Sequence, residues 1–88
     1  MISVKEAVGA ALAYVSDFQE LIPNKDLRLE ETELDEEDGR PIWLITLSFG
    51  EIGFGSLGGL RSNRIFKIDA DNGRVISMRA RTSLPSRS

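Results

Sequence analysis

The stretch Pro41-Ile42-Trp43-Leu44-Ile45-Thr46-Leu47-Ser48-Phe49 does most to limit what this chain can fold into. Side chains alternate along a β-strand, so Trp43, Ile45, Leu47 and Phe49 share one face. The other face starts apolar with Ile42 and Leu44, then turns polar at Thr46 and Ser48. No other stretch carries as many large β-forming side chains, and the single Trp lies here. The segment predicts a central strand with one face given over to a core.

An amphipathic helix is predicted ahead of it. Ser3-Val4-Lys5-Glu6 fits a capping box, with Ser3 as N-cap and Glu6 at the third helical position. Val4, Ala7, Val8, Ala11, Leu12, Val15, Phe18 and Ile22 then recur at steps of three and four, opposite Lys5, Glu6, Ser16, Asp17 and Glu20. Pro23 is expected to end the helix, because the residue before a proline is pushed out of the α region.

Leu27 to Leu34 reads as a second strand whose alternation breaks once. Leu27 and Leu29 share a face, and strict alternation would next turn Glu31 and Glu33 inward. A bulge at Glu30-Glu31 returns Thr32 and Leu34 to the core side. Asp35 to Arg40 reads as a charged, solvated loop, and Gly50 to Asn63 as a long glycine-rich loop expected to be mobile. Arg64 to Ala70 and Arg74 to Arg81 form the last two strands, around Asp71-Asn72-Gly73.

A two-residue Asn72-Gly73 turn would set Phe66 against Arg79 and Ile68 against Ser77. A three-residue loop closed by Gly73 in the left-handed region pairs Ile68 with Ile76 and Phe66 with Met78. The second choice gathers four large apolar side chains on one face and is the one predicted.

Size and composition narrow the function. A chain of 88 residues holds one modest core. It contains neither Cys nor His, which excludes thiolate sites and removes the commonest metal ligand and the commonest general base. Ser, Thr and Tyr14 occur without a base beside them, so no nucleophile stands out. Residues 1–44 carry 4 basic and 11 acidic side chains, and residues 45–88 carry 7 and 3, for a net charge of −3. That balance argues against nucleic acid as a partner. The apolar run Ala7–Val15 follows the neutral pair Lys5-Glu6 and continues amphipathically, so a signal peptide, membrane insertion and export are not expected, and the cytoplasm is.

Two motifs are decoys. Gly53-Phe54-Gly55-Ser56-Leu57-Gly58 spells G-x-G-x-x-G, but the segment after it is a strand where a dinucleotide site needs a helix. No cofactor is expected. Asp69 to Gly73 resembles the start of a calcium loop, yet its glycine falls one place early and the twelfth position is Ala80. Glu36, Glu37 and Asp38 form a solvated charge run, and no metal is expected.

Asp38-Gly39-Arg40-Pro41-Ile42-Trp43-Leu44-Ile45 with Phe66-Lys67-Ile68-Asp69-Ala70-Asp71-Asn72-Gly73-Arg74-Val75-Ile76 resembles the PepSY family of domains. That family has a helix, then strands with an aromatic after a Gly-x-Pro turn, then a Val-Asp-Ala-x-x-Gly-x-Val hairpin. The resemblance implies an inhibitory or binding role, as in propeptides of secreted peptidases and in envelope proteins, and brings no catalytic residues.

The fold expected is α+β, with one N-terminal helix on one face of a four-stranded antiparallel meander. It occupies residues 1–81, followed by a disordered tail at 82–88. Its core is expected to be Val8, Ala11, Leu12, Val15 and Phe18 against Leu29, Trp43, Ile45, Leu47, Phe66, Ile68, Ile76 and Met78. The function expected is that of a noncatalytic module binding a protein partner or a second copy of itself. Its contact surface is the sheet face away from the helix, formed by Ile42, Leu44, Ile65 and Val75 among Thr46, Ser48, Lys67, Ser77 and Arg79. The alternative is a small-ligand or anion sensor built from Gly55, Gly58, Gly59, Arg61 and Arg64.

Overall fold

The computed structural model describes residues 1–18, 25–50 and 61–81, with Lys25, Asp26, Arg61 and Arg81 described in backbone only. It contains one helix, α1 (Val4–Asp17), and strands β1 (Lys25–Glu37), β2 (Arg40–Gly50), β3 (Arg61–Asp69) and β4 (Val75–Arg81). The strands form one antiparallel sheet in the order β1-β2-β3-β4, the expected meander.

Helix α1 starts as its sequence dictates. The Ser3 hydroxyl accepts from the Glu6 amide at 3.1 Å, and the Glu6 carboxylate accepts from the Ser3 amide at 2.9 Å. The helix ends at Asp17 with Phe18 as C-cap, ahead of the proline expected to stop it; Ile22 and Pro23 lie outside the described residues. Ala7, Ala11 and Val15 form the buried seam against β2, β3 and β4. Small side chains along that seam let the helix axis lie close to the sheet.

Beneath it, Ile45, Leu47, Phe49, Phe66 and Ile68 are fully buried, with Trp43, Met78 and Leu27 packed around them. Four expected core residues are not buried. Leu12, Phe18, Leu29 and Ile76 are 40%, 42%, 51% and 50% exposed. For Leu29 the face is right but the cover is missing: it pairs with buried Leu47, yet the helix packs mainly on β2 to β4.

The predicted bulge in β1 is present. Leu29 pairs with Leu47 and Glu31 with Thr46, so Glu30 is the extra residue. Thr32 then lies opposite Ile45 and Leu34 opposite Trp43, on the helix side. The Glu30 carboxylate accepts from the buried Ser48 hydroxyl at 2.6 Å, which holds the bulge in place.

The segment read as a loop at 35–40 is a hairpin. Asp38 and Gly39 have φ of 52° and 80°, the two positive values that a type I′ turn needs, and Glu37 pairs with Arg40. The ladder also runs further than expected at the other end: Gly50 pairs with Arg61 and Asn63 with Arg81.

The last hairpin departs from the predicted register. Phe66 pairs with Met78 as expected, and Gly73 takes the left-handed region at φ 78°. Ile68, however, pairs with Val75 instead of Ile76. The cause is Ala70. Its N–H donates to the Pro41 carbonyl at 3.1 Å and its own carbonyl accepts from the Ile2 amide at 2.6 Å, so it cannot pair with Arg74. Asp69 takes that place, with its N–H donating to the Arg74 carbonyl at 2.8 Å, and the loop lengthens to Ala70–Gly73. Ile76 becomes a bulge residue that restores the register at Ser77.

Candidate functional site

The sheet face away from the helix is the candidate site. Alternation from the helix-side residues Trp43, Ile45 and Leu47 puts Ile42, Leu44, Thr46 and Ser48 of β2 on this face, and Ile65 and Lys67 of β3 opposite Thr46 and Leu44. Ser77 and Arg79 of β4 lie beyond Lys67 and Ile65. On β1, the bulge brings Glu31, Glu33, Asp35 and Glu37 into one row on the same face, because they pair with Thr46, Leu44, Ile42 and Arg40. The face therefore grades from carboxylates on β1, across an apolar middle, to cations on β3 and β4.

Leu44 and Ile65 are half-buried and together border two shallow depressions. One, of about 250 Å³, is closed by Asp35, Glu37, Lys67, Ser77 and Arg79. The other, of about 220 Å³, is closed by Glu31, Glu33 and Thr46. The Lys67 ammonium pairs with the Glu37 carboxylate across β2, tying the acidic and basic sides together at one end.

One of the predicted face residues stands elsewhere, and another is covered. Val75 pairs with Ile68 and packs against the core, beside Ala10 and Tyr14 of the helix, because the longer loop shifts it by one position. Ile42 is on the predicted face but only 3% exposed, so it supports Leu44 and offers little surface itself. Of the predicted anion loop, Gly55, Gly58 and Gly59 lie outside the described residues, and Arg61 is described in backbone only, as the first residue of β3. The Arg64 guanidinium sits 5.9 Å from the centre of the Phe49 ring and donates to the Asn63 carbonyl at 3.3 Å, so packing engages it. The expected mobility of Gly50–Asn63 falls mainly on residues outside the description; Gly50 and 61–63 belong to strands.

Asp69, in the decoy calcium loop, is a turn residue. Its carboxylate accepts from the Asp71 amide at 2.8 Å and lies 3.6 Å from the Arg40 guanidinium. Among the described residues, no group of three or more acidic side chains converges as a metal site would require. No described helix is long and apolar enough to cross a membrane.

A helix over a four-stranded meander, with the Gly-x-Pro strand entry and the Asp-Ala-x-x-Gly hairpin, defines a small α+β domain. The family model for the peptidase propeptide and YPEB domain, PepSY, matches residues 1–79, and the chain belongs to that family. Domains of this family are often propeptide-like or inhibitor-like modules and are generally noncatalytic. No curated protein and no solved structure matches the chain.

Proposed function

We propose that this PepSY domain is a noncatalytic protein-binding module that engages its partner through the sheet face away from the helix, centred on Leu44 and Ile65. The observation that carries this reading is the placement of these two side chains. They stand between an acidic and a basic border, at the shared rim of two depressions. An apolar centre with a charged rim is the usual anatomy of a protein contact.

A second copy of the chain fits the same surface. A two-fold axis lying in the contact plane, parallel to the strands, sets β1 of one copy over β4 of the other. Glu31 then faces Arg79, and Glu33 faces Ser77, twice over, as an isologous contact requires. Sedimentation of the wild type over a concentration series, against Leu44→Glu and Ile65→Lys, tests this version. Self-association that both substitutions abolish supports it. If the wild type stays monomeric, the partner is a different protein, and capture by the wild type but not the double variant is the expected result. A double variant that behaves as wild type in both assays refutes the reading.

A further inference from the structure

The outer edge of β1 borders the sheet face and shares its acidic row, but its outward backbone groups play no part in the reading given above. Its hydrogen-bonding groups can be worked out from one contact. The Pro41 carbonyl points to β3, where it accepts from Ala70. Backbone groups alternate in direction along a strand, so Ile42, Leu44 and Thr46 turn theirs toward β1 and bond with their opposite residues Asp35, Glu33 and Glu31. Thr32, Leu34 and Glu36 must then turn their N–H and C=O groups outward. The Glu36 amide agrees: it donates to the neighbouring Asp35 carboxylate at 2.7 Å. Thr32 and Leu34 are left as an open, regular edge with which no described strand pairs.

The two faces of this edge differ sharply. On the back lies the acidic row that includes Glu33 and Asp35. On the helix side lie Thr32, Leu29 and Leu34, the two leucines about half exposed. Ala10 and Tyr14 of the helix flank the buried seam on the side of Gly73–Val75. By helical geometry, Val8 and Leu12 flank it on the side of β1. Leu12 is itself 40% exposed, so exposed leucines of α1 and β1 stand on the same side of the sheet, and we read the space between them, with Trp43 and Ile45 of β2 beneath, as an apolar channel. Edges are ordinarily protected by charges, and a strand meant only to be blunted would not keep two leucines uncovered beside one.

We propose that β1 accepts a fifth strand from a protein segment that alternates apolar and basic residues. Main-chain bonds to Thr32 and Leu34 would hold the segment. Its apolar side chains would fill the channel beside Leu12, Leu29 and Leu34, and its Lys or Arg side chains would meet Glu33 and Asp35. A second copy pairing β1 with β1 is disfavoured, because it would bring like-charged rows together.

The probe is a capped peptide of alternating valine and lysine spanning the length of Glu31–Glu37, titrated into the labelled domain and followed by amide shifts and hydrogen exchange. Binding is expected to slow exchange at Thr32 and Leu34 and to weaken steeply with salt. Leu34→Pro removes an outward N–H that the β1–β2 ladder does not use, so the domain stays folded and loses binding. The double variant Glu33→Lys, Asp35→Lys is expected to lose about tenfold in affinity and to gain affinity for a valine–glutamate peptide instead. No binding by the wild type, or binding that Leu34→Pro leaves intact, overturns the proposal. So does a footprint confined to Leu44 and Ile65, and that outcome would support the sheet-face reading while refuting this one.

Discussion

Replacing Trp43 tests how the chain's N-terminus is held. The Trp43 ring packs against the core from β2, and its indole N–H donates to the Ile2 carbonyl at 3.1 Å. The Ile2 amide donates in turn to Ala70, and the Ile2 side chain lies close to Gly73. One aromatic thus links the central strand to the entry of the helix and to the last hairpin. Truncating a large core aromatic costs about 3–5 kcal/mol, and because Trp43 is only partly buried the lower end, about 3 kcal/mol, is expected for Trp43→Ala. Trp43→Phe keeps most of the packing and loses the hydrogen bond, for about 1 kcal/mol. A domain of this size has roughly 4–13 kcal/mol of stability in all. Urea denaturation followed by circular dichroism suits both variants, since the only tryptophan is gone. At about 1–1.5 kcal/mol per molar urea, Trp43→Ala should lower the midpoint by roughly 2–3 M. Trp43→Phe should also speed exchange of the Ile2 amide beyond its effect on global stability. A Trp43→Ala midpoint within about 0.5 M of wild type, well inside the shift expected from the urea slope, would refute the reasoning. So would unchanged Ile2 exchange in Trp43→Phe.

Gly73→Ala should cost about 1–2 kcal/mol by thermal or urea unfolding, because residue 73 sits at φ 78° and the added methyl meets Ile2 only at ordinary contact distance, 3.7 Å. Ser3→Ala should cost about 1 kcal/mol by the same measurements, since it removes one half of the capping box and strands the Glu6 amide. Deleting Glu30 should leave the fold intact at a cost of about 1.5–3 kcal/mol for the lost bond between the Ser48 hydroxyl and the Glu30 carboxylate, with Leu29–Leu47 and Thr32–Ile45 contacts retained in NOE spectra. Deleting Glu33 should instead turn Leu34 to the back face or break the Asp38-Gly39 hairpin, with far greater loss of stability; equal effects of the two deletions would show that Glu30 is not the bulge residue.

What the sequence made legible was local, and what it hid depended on contacts between distant segments. The capping box, the seam Ala7-Ala11-Val15 and the β1 bulge follow from spacing alone, because a period of 3.6 or 2 fixes which side chains share a face. The Asp38-Gly39 turn was equally local, but the acids around it read as solvated loop and masked the pair that most favours a type I′ hairpin. The register of the last hairpin was not local at all. It turns on Ala70, whose backbone is bonded to Pro41 and Ile2, and no pattern within Phe66–Met78 announces that. Val75 faces the core for this reason, whereas Leu44 and Ile65 take the face that alternation assigns them because nothing interrupts β2 or β3. Periodicity also says which face a residue takes and not what covers it. Leu29 and Leu34 carry the pattern of core residues, and they lie open because α1 packs over the other three strands. The same fact joins the fold to its surface. A helix that covered β1 would have buried those leucines and closed the channel. By sitting to one side, it leaves an edge whose apolar face and acidic face are both accessible, and on which a partner's own alternation could be read.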